Sequence, residues 1–191
     1  MRPSLKWFEA FAVSIGLQGC AFGIKDLSHE PAVKSIIGQC YQLTSESFVY
    51  EARCVDLKSN GFGSREFCPG LQSFSAGSDL STFPESYEDY LGNKAEWDKR
   101  MFDNLLFEEQ RGILYPVSAG AKFHITTVVD YPWGETGHLL AIRADLIGPF
   151  GTEEVELRTI GLLTYGKIWA RRDRVNGISF DSDFVKPCDL P

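Results

Sequence analysis

The sequence predicts a mainly β fold of the α+β class, with one helix and one long irregular loop. Three observations lead there. Aromatic residues make up 13% of the chain, and 18 glycines with 9 prolines supply turns, a mixture that suits pleated strands and tight reversals. Several segments of the second half alternate apolar and polar residues with a period of two. One stretch, residues 93–110, carries the three- and four-residue apolar spacing of an amphipathic helix.

The chain has 191 residues, 43% of them hydrophobic and 24% charged, enough for a buried core without a metal to hold it. Its formal net charge is −7. An acidic body is poorly suited to nucleic acid, which needs clustered Lys and Arg. The single basic cluster, Arg171, Arg172 and Arg174, is interrupted by Asp173 and reads as a solvated strand end.

The elements follow in chain order. Residues 1–19 read as a signal peptide: Arg2 and Lys6 precede an apolar run over 10–18, about half the ~20 residues that cross a bilayer. The run ends in Leu17, Gln18, Gly19 and Cys20, which resembles the lipobox of bacterial lipoproteins. That resemblance implies a diacylglycerol on the Cys20 thiol, cleavage between Gly19 and Cys20, and acylation (palmitate among the acyl groups) of the new amino terminus. With Ala21 following the cysteine, it implies an outer-membrane anchor facing the periplasm. Two or three acyl chains would hold the protein there almost permanently. The alternative is an amphipathic first helix with Cys20 a buried thiol, but Trp7, Phe8, Phe11, Val13 and Leu17 do not share one helical face.

Five cysteines are present. Assigning Cys20 to the lipid leaves Cys40, Cys54, Cys68 and Cys188, an even set that export would place in an oxidising compartment. Three pairings are open. A hairpin centred near Ser47 would set Cys40 opposite Cys54 and leave Cys68 for Cys188, a long loop whose closure is worth roughly 4–5 kcal/mol in the entropy model.

Residues 20–30 read as a tether and 31–191 as the globular body. Pro31 opens a short helical turn. Tyr41–Thr44 and Phe48–Val55 read as strands. From Ser59 to Gly92 the chain is rich in Gly, Ser, Pro and Asp, and an irregular excursion is expected, pinned by Phe62, Phe67, Phe74 and Phe83. The helix over 93–110 has Asn93 and Glu96 in capping-box positions. Short strands are expected over 113–117, 123–129, 140–146 and 154–158, with turns at 132–137 and 148–151. They suggest a small antiparallel barrel or meander.

A faint internal echo links Gly38, Tyr41, Leu43 and Thr44 to Gly120, Phe123, Ile125 and Thr126, as Gly-x-x-aromatic-x-aliphatic-Thr. Both copies resemble the first strand of bacterial SH3-like modules. The resemblance implies an SH3-like body, with two related lobes (31–92 and 111–191, joined by helix 93–110) as an open alternative.

No catalytic signature emerges. There is no Gly-x-Ser-x-Gly elbow around Ser64, and no phosphate loop follows Gly61 and Gly63. His29 lies in the tether. His124 and His138 would approach one another if their strands paired, but no third ligand completes a zinc site. Glu88 and Glu96 stand in an acidic stretch, 79–109, that could supply an acid–base pair or simply a solvated face. No cofactor and no metal is expected.

The expectation is therefore a non-catalytic, lipid-anchored envelope protein that binds a protein, peptidoglycan or another envelope component. Tyr115, Tyr131 and Trp133 near strand ends are the candidate binding residues, with core packing as their alternative role. Two other readings stay open: an immunity or inhibitor lipoprotein presenting segment 79–109 to a basic toxin or lysozyme, and an envelope hydrolase.

Overall fold

The computed structural model of the chain describes residues 24–55, 65–76, 83–102, 112–133, 137–149, 151–157, 170–173 and 177–189. Residues 1–19, expected as a signal peptide, Cys20, residues 103–110 and the glycines around Ser64 lie outside them. The first elements are β1 (Lys25–Asp26), α1 (Pro31–Lys34), β2 (Cys40–Leu43), β3 (Ser47–Val55) and β4 (Arg65–Ser73). Two short helices follow, α2 (Tyr87–Gly92) and α3 (Lys94–Phe102). The second half holds β5 (Gly112–Val117), β6 (Lys122–Trp133), β7 (Gly137–Gly148), β8 (Gly151–Leu157), β9 (Ala170–Asp173), β10 (Gly177–Phe180) and β11 (Val185–Pro187).

Nine of these strands form one curled, half-barrel sheet in the order β11-β2-β6-β7-β8-β4-β3-β5, with β1 also on β6. The mainly β expectation holds. The expected meander is β6-β7-β8, two antiparallel hairpins, the first with a register shift between Ile125 and Thr127. The sheet is not wholly antiparallel, because β4 runs parallel to β8, with Leu71 opposite Leu157. A parallel neighbour needs a long crossover, and the chain between β4 and β8 contains both helices and three strands. Strands from 31–92 and from 111–191 thus interleave in one sheet: β2 lies on β6, β5 on β3, and β4 on β8.

The hairpin expected near Ser47 does not form. β2 turns instead to β6 and β11, while β3 pairs with β4 and β5. β4 itself was expected to be loop. Its Pro69 and Gly70 disguise a strand, and Gly70 is where the Tyr50 ring crosses: a Cβ on Gly70 would lie 2.5 Å from that ring. Within residues 20–30, the segment expected to be a tether, three residues join the fold. Lys25 and Asp26 pair with Asp130 and Val129, and Leu27 is fully buried.

The two copies of the internal echo meet face to face. Tyr41 pairs with Phe123, their rings stacked with centroids 5.9 Å apart. Gly38 N–H donates to Ile125 O and Gly120 N–H to Leu43 O, at 2.7 and 2.8 Å; Ile125 N–H donates to Gln39 O and Leu43 N–H to Ala121 O. Each bond maps onto its counterpart under a local two-fold axis through the aromatic pair. Both glycines have positive φ, 75° and 83°, a conformation that favours glycine.

Two cores share the sheet. Leu43, Val49, Leu71, Phe123, Ile125, Ile142, Val155 and Leu157 lie on one face, joined by Val33 and Ile36 around α1, Ala170 and Ile178 from the β9–β10 hairpin, and Phe184 and Val185. On the other face of β3, Phe48, Tyr50 and Ala52 pack with Phe74, Tyr90, Met101 and Ile113 beneath α2 and α3. Burial on both faces explains the unbroken apolar run Phe48-Val49-Tyr50. The helix expected over 93–110 begins one residue later, at Lys94, with Asn93 O accepting from Glu96 and Trp97 N–H. Ser86 Oγ caps α2 by accepting from Asp89 N–H at 3.1 Å.

Cys40 and Cys188 form a disulfide, which corrects the expected Cys40–Cys54 and Cys68–Cys188 pairing. The cause is topological: β11 pairs with β2, and Cys188 N–H donates to Cys40 O at 3.0 Å. Cys68 is also disulfide-bonded.

Candidate functional site

The inner face of the half-barrel is set by strand alternation. On β8, Val155 and Leu157 point inward and are buried, at 1% and 2% exposure. The next inward position toward the strand start is Glu153, opposite Leu146 of β7. A period-two strand puts an apolar residue at such a position. Here a carboxylate occupies it, next to the Gly148–Gly151 reversal that ends the β7–β8 hairpin.

Across the opening stands β5. Its register against β3 slips between Val49 and Tyr50, so that Val49 faces Tyr115 and Tyr50 faces Ile113. Leu114 is the extra residue of this β-bulge and is exposed. The bulge re-aims the strand. Ile113 packs with Tyr50 under the helices, whereas Tyr115 lies on the same side as Val49 and Val117. Tyr115 reaches over the mouth and its hydroxyl donates to Glu153 Oε2.

Between β5 and the β7–β8 hairpin lies a cleft of about 750 Å³. Its floor and walls include Val117, Ala121, Leu146, Ile147 and Pro149, and Tyr115 and Glu153 close one side. Ile147 and Tyr115 are among the exposed large apolar side chains, at 45% and 37%. The size and apolar lining with a few convergent polar groups fit a small-ligand or peptide site. Edge strand β5 also carries Pro116, which cannot donate to a further strand, so this edge is guarded against sheet extension.

Glu153 differs from its neighbours in charge balance. Arg143, on the other face of the hairpin, pairs with Glu154 at 2.8 Å and Glu156 at 3.6 Å. Among the described residues, no Lys or Arg forms an ion pair with Glu153. Its partner is the neutral Tyr115 hydroxyl, and it is the ionisable acid of the cleft wall.

Of the expected binding residues, Tyr115 lines the cleft. Tyr131 and Trp133 lie near the far end of β6, opposite Leu139 and Gly137, and their side chains are outside the described set. His124 and His138 do not meet although their strands pair. His124 faces Asp145 and His138 faces Pro132, eight positions further on β6, about 26 Å at strand rise. His124 Nδ1 lies 3.3 Å from Gly38 O. Among the described residues, no group of three His, Cys, Asp or Glu could hold a metal ion.

The acidic stretch is largely engaged with itself where it is described. Asp98 accepts from the Tyr90 hydroxyl at 2.7 Å and pairs with Lys94. Glu96 pairs with Arg100, and its carboxyl is held below the usual range by the Asn93 side-chain amide and then by the Arg100 charge. Asp89 accepts from Glu85 N–H. Glu88 is exposed at the start of α2, separated from Glu96 by the break between the two helices.

Neither a family model, nor a curated protein, nor a solved structure matches the chain.

Proposed function

We propose that the protein is a lipid-anchored, non-catalytic binder of the bacterial envelope, and that the cleft between β5 and the β7–β8 hairpin takes its ligand, a cell-wall component. The observation that carries the reading is the inward pair Tyr115 and Glu153 at the mouth of a mostly apolar cleft. An aromatic ring beside a shallow apolar trough is how SH3-like grooves hold peptides. The β6-β7-β8 meander beneath the cleft supports that finer architecture.

Cysteine usage supports the address. The Cys40–Cys188 bond suits an oxidising compartment. Cys54 sits diagonally across from Cys68, since Ala52 faces Cys68 and Cys54 faces Glu66 on the paired strands. Pairing Cys68 with Cys54, as we propose, would leave Cys20 as the single cysteine outside a disulfide, free for the lipid. From Cys20 to Lys25 the chain spans at most about 18 Å, so a lipid there holds β1 close to the bilayer. β1 pairs with β6 at Val129 and Asp130, while the cleft lies beyond the start of β6 at Lys122. The cleft then opens away from the membrane, toward the wall.

Co-sedimentation with purified peptidoglycan sacculi tests this. The protein released from its anchor is expected to pellet with sacculi, and Tyr115→Ala to lose most of that binding, about tenfold or more in affinity, as truncation of a central aromatic anchor does. Retention unchanged in Tyr115→Ala would place binding elsewhere. No sedimentation of the wild-type protein would exclude the wall as its ligand.

A further inference from the structure

We infer that the cleft selects a short peptide bearing one primary ammonium group, and that Glu153 is the residue that reads that charge. This rests on the cleft being the binding site and deepens it to a ligand chemistry.

Three features of the site carry the inference. The first is position. Glu153 occupies the inward slot of β8 that continues Val155 and Leu157. On the opposite face Glu154 and Glu156 stand beside Arg143, whereas Glu153 turns toward the cleft and away from that cation. The second is balance. Among the described residues no cation pairs with Glu153; the one contact made to it is the hydrogen bond from Tyr115. A neutral hydroxyl satisfies one lone pair of a carboxylate but leaves its charge uncompensated. A ligand ammonium would supply both the charge and further donors. The third is size. About 750 Å³ holds a few residues of peptide, not the face of a folded protein. The Tyr115 ring, with Val117, Leu146 and Pro149 of the cleft lining, covers the apolar part of such a ligand, while Glu153 takes the amine at the end of the trough.

Tyr115 then has two roles that substitution separates. Its ring is a platform, and its hydroxyl competes with the incoming amine for Glu153. Tyr115→Ala removes both. Tyr115→Phe keeps the platform and removes the competitor.

The test uses two probes: an N-acetylated tetrapeptide amide of alanine and leucine with one lysine, whose side chain is its single ammonium group, and the same N-acetylated peptide with norleucine in place of lysine. Affinities are measured by calorimetry at low salt, and the site by amide chemical-shift changes. The lysine peptide is expected to bind about tenfold tighter than the norleucine peptide, the scale of one charge-assisted hydrogen bond. Shifts should centre on Tyr115, Ile147 and Glu153. Glu153→Gln, which keeps shape and removes charge, is expected to abolish the preference, and Tyr115→Phe to keep or enlarge it. Equal binding of both peptides in the cleft would overturn the charge selection and leave the cleft as a binding site. A lysine preference that survives Glu153→Gln would assign it to another group. Binding of neither peptide by a protein that pellets with sacculi through Tyr115 would overturn the peptide-ammonium ligand while sparing wall binding.

Discussion

Gly177→Ala is expected to destabilise the protein by about 2–5 kcal/mol, combining a left-handed backbone penalty with overpacking. Gly177 opens β10 with φ of 85°. A Cβ there would lie 1.9 Å from the carbonyl oxygen of Ala32 and 2.8 Å from its carbon. Those atoms are backbone in α1, so no rotamer change relieves the contact. Either the β9–β10 hairpin or α1 must move, and both contribute to the main core through Ile178, Ala170 and Val33. Gly120 is the internal control. Its φ is 83°, but nothing lies within 4 Å of its Cβ position. Gly120→Ala should therefore carry the backbone penalty alone, about 1–2 kcal/mol. Urea midpoints for the two variants measure the difference. Equal midpoints would mean that α1 and the hairpin do not pack as described.

The double variant Cys40→Ser/Cys188→Ser is expected to lose up to about 5 kcal/mol by the loop-entropy relation. The bond joins residues 148 apart in sequence, so its removal frees most of the chain in the unfolded state. The second bridge, at Cys68, already restrains part of that chain, which makes this value a ceiling. Such a loss is comparable to the whole stability of a marginal domain. It would fall first on β11, an edge strand of three residues that carries Val185 into the core. Guanidinium unfolding gives the total, and amide exchange at Thr44 and Cys188, whose N–H groups donate to Phe184 O and Cys40 O, gives the local part. A change below about 1 kcal/mol would mean that β11 stays docked without its bond.

The sequence read well where one physical rule governed a segment. Alternation placed β6, β7 and β8, because each strand has one inward face and short turns, and β5 was legible as a short apolar run. It failed where two rules met. β4 contains Pro69 and Gly70, which signal a turn; the tertiary reason for the glycine, the Tyr50 ring lying across it, is invisible in one dimension. The Cys40 pairing was misjudged because β2 and β3 are neighbours in sequence but not in the sheet, and a short strand of four residues does not declare its partner. The echo around Gly38 and Gly120 was legible as a pattern; its meaning, two strands paired about a local axis, required the fold. Tyr115 was legible as an aromatic near a strand end. Glu153 was overlooked, although its signal was present: it stands two residues before Val155 and four before Leu157, where alternation calls for an apolar side chain.

The central claim is an envelope lipoprotein whose folded body hangs from Cys20 by a short tether. The intact mass of the protein from the membrane fraction, with and without reductant, tests it most directly. The claim predicts a chain beginning at Cys20, carrying the added mass of diacylglycerol and an amide-linked acyl group, and gaining two hydrogens for each of two disulfides on reduction. A chain that retains residues 1–19, without acyl mass and with Cys20 as a free thiol or a disulfide partner of Cys68, would contradict it.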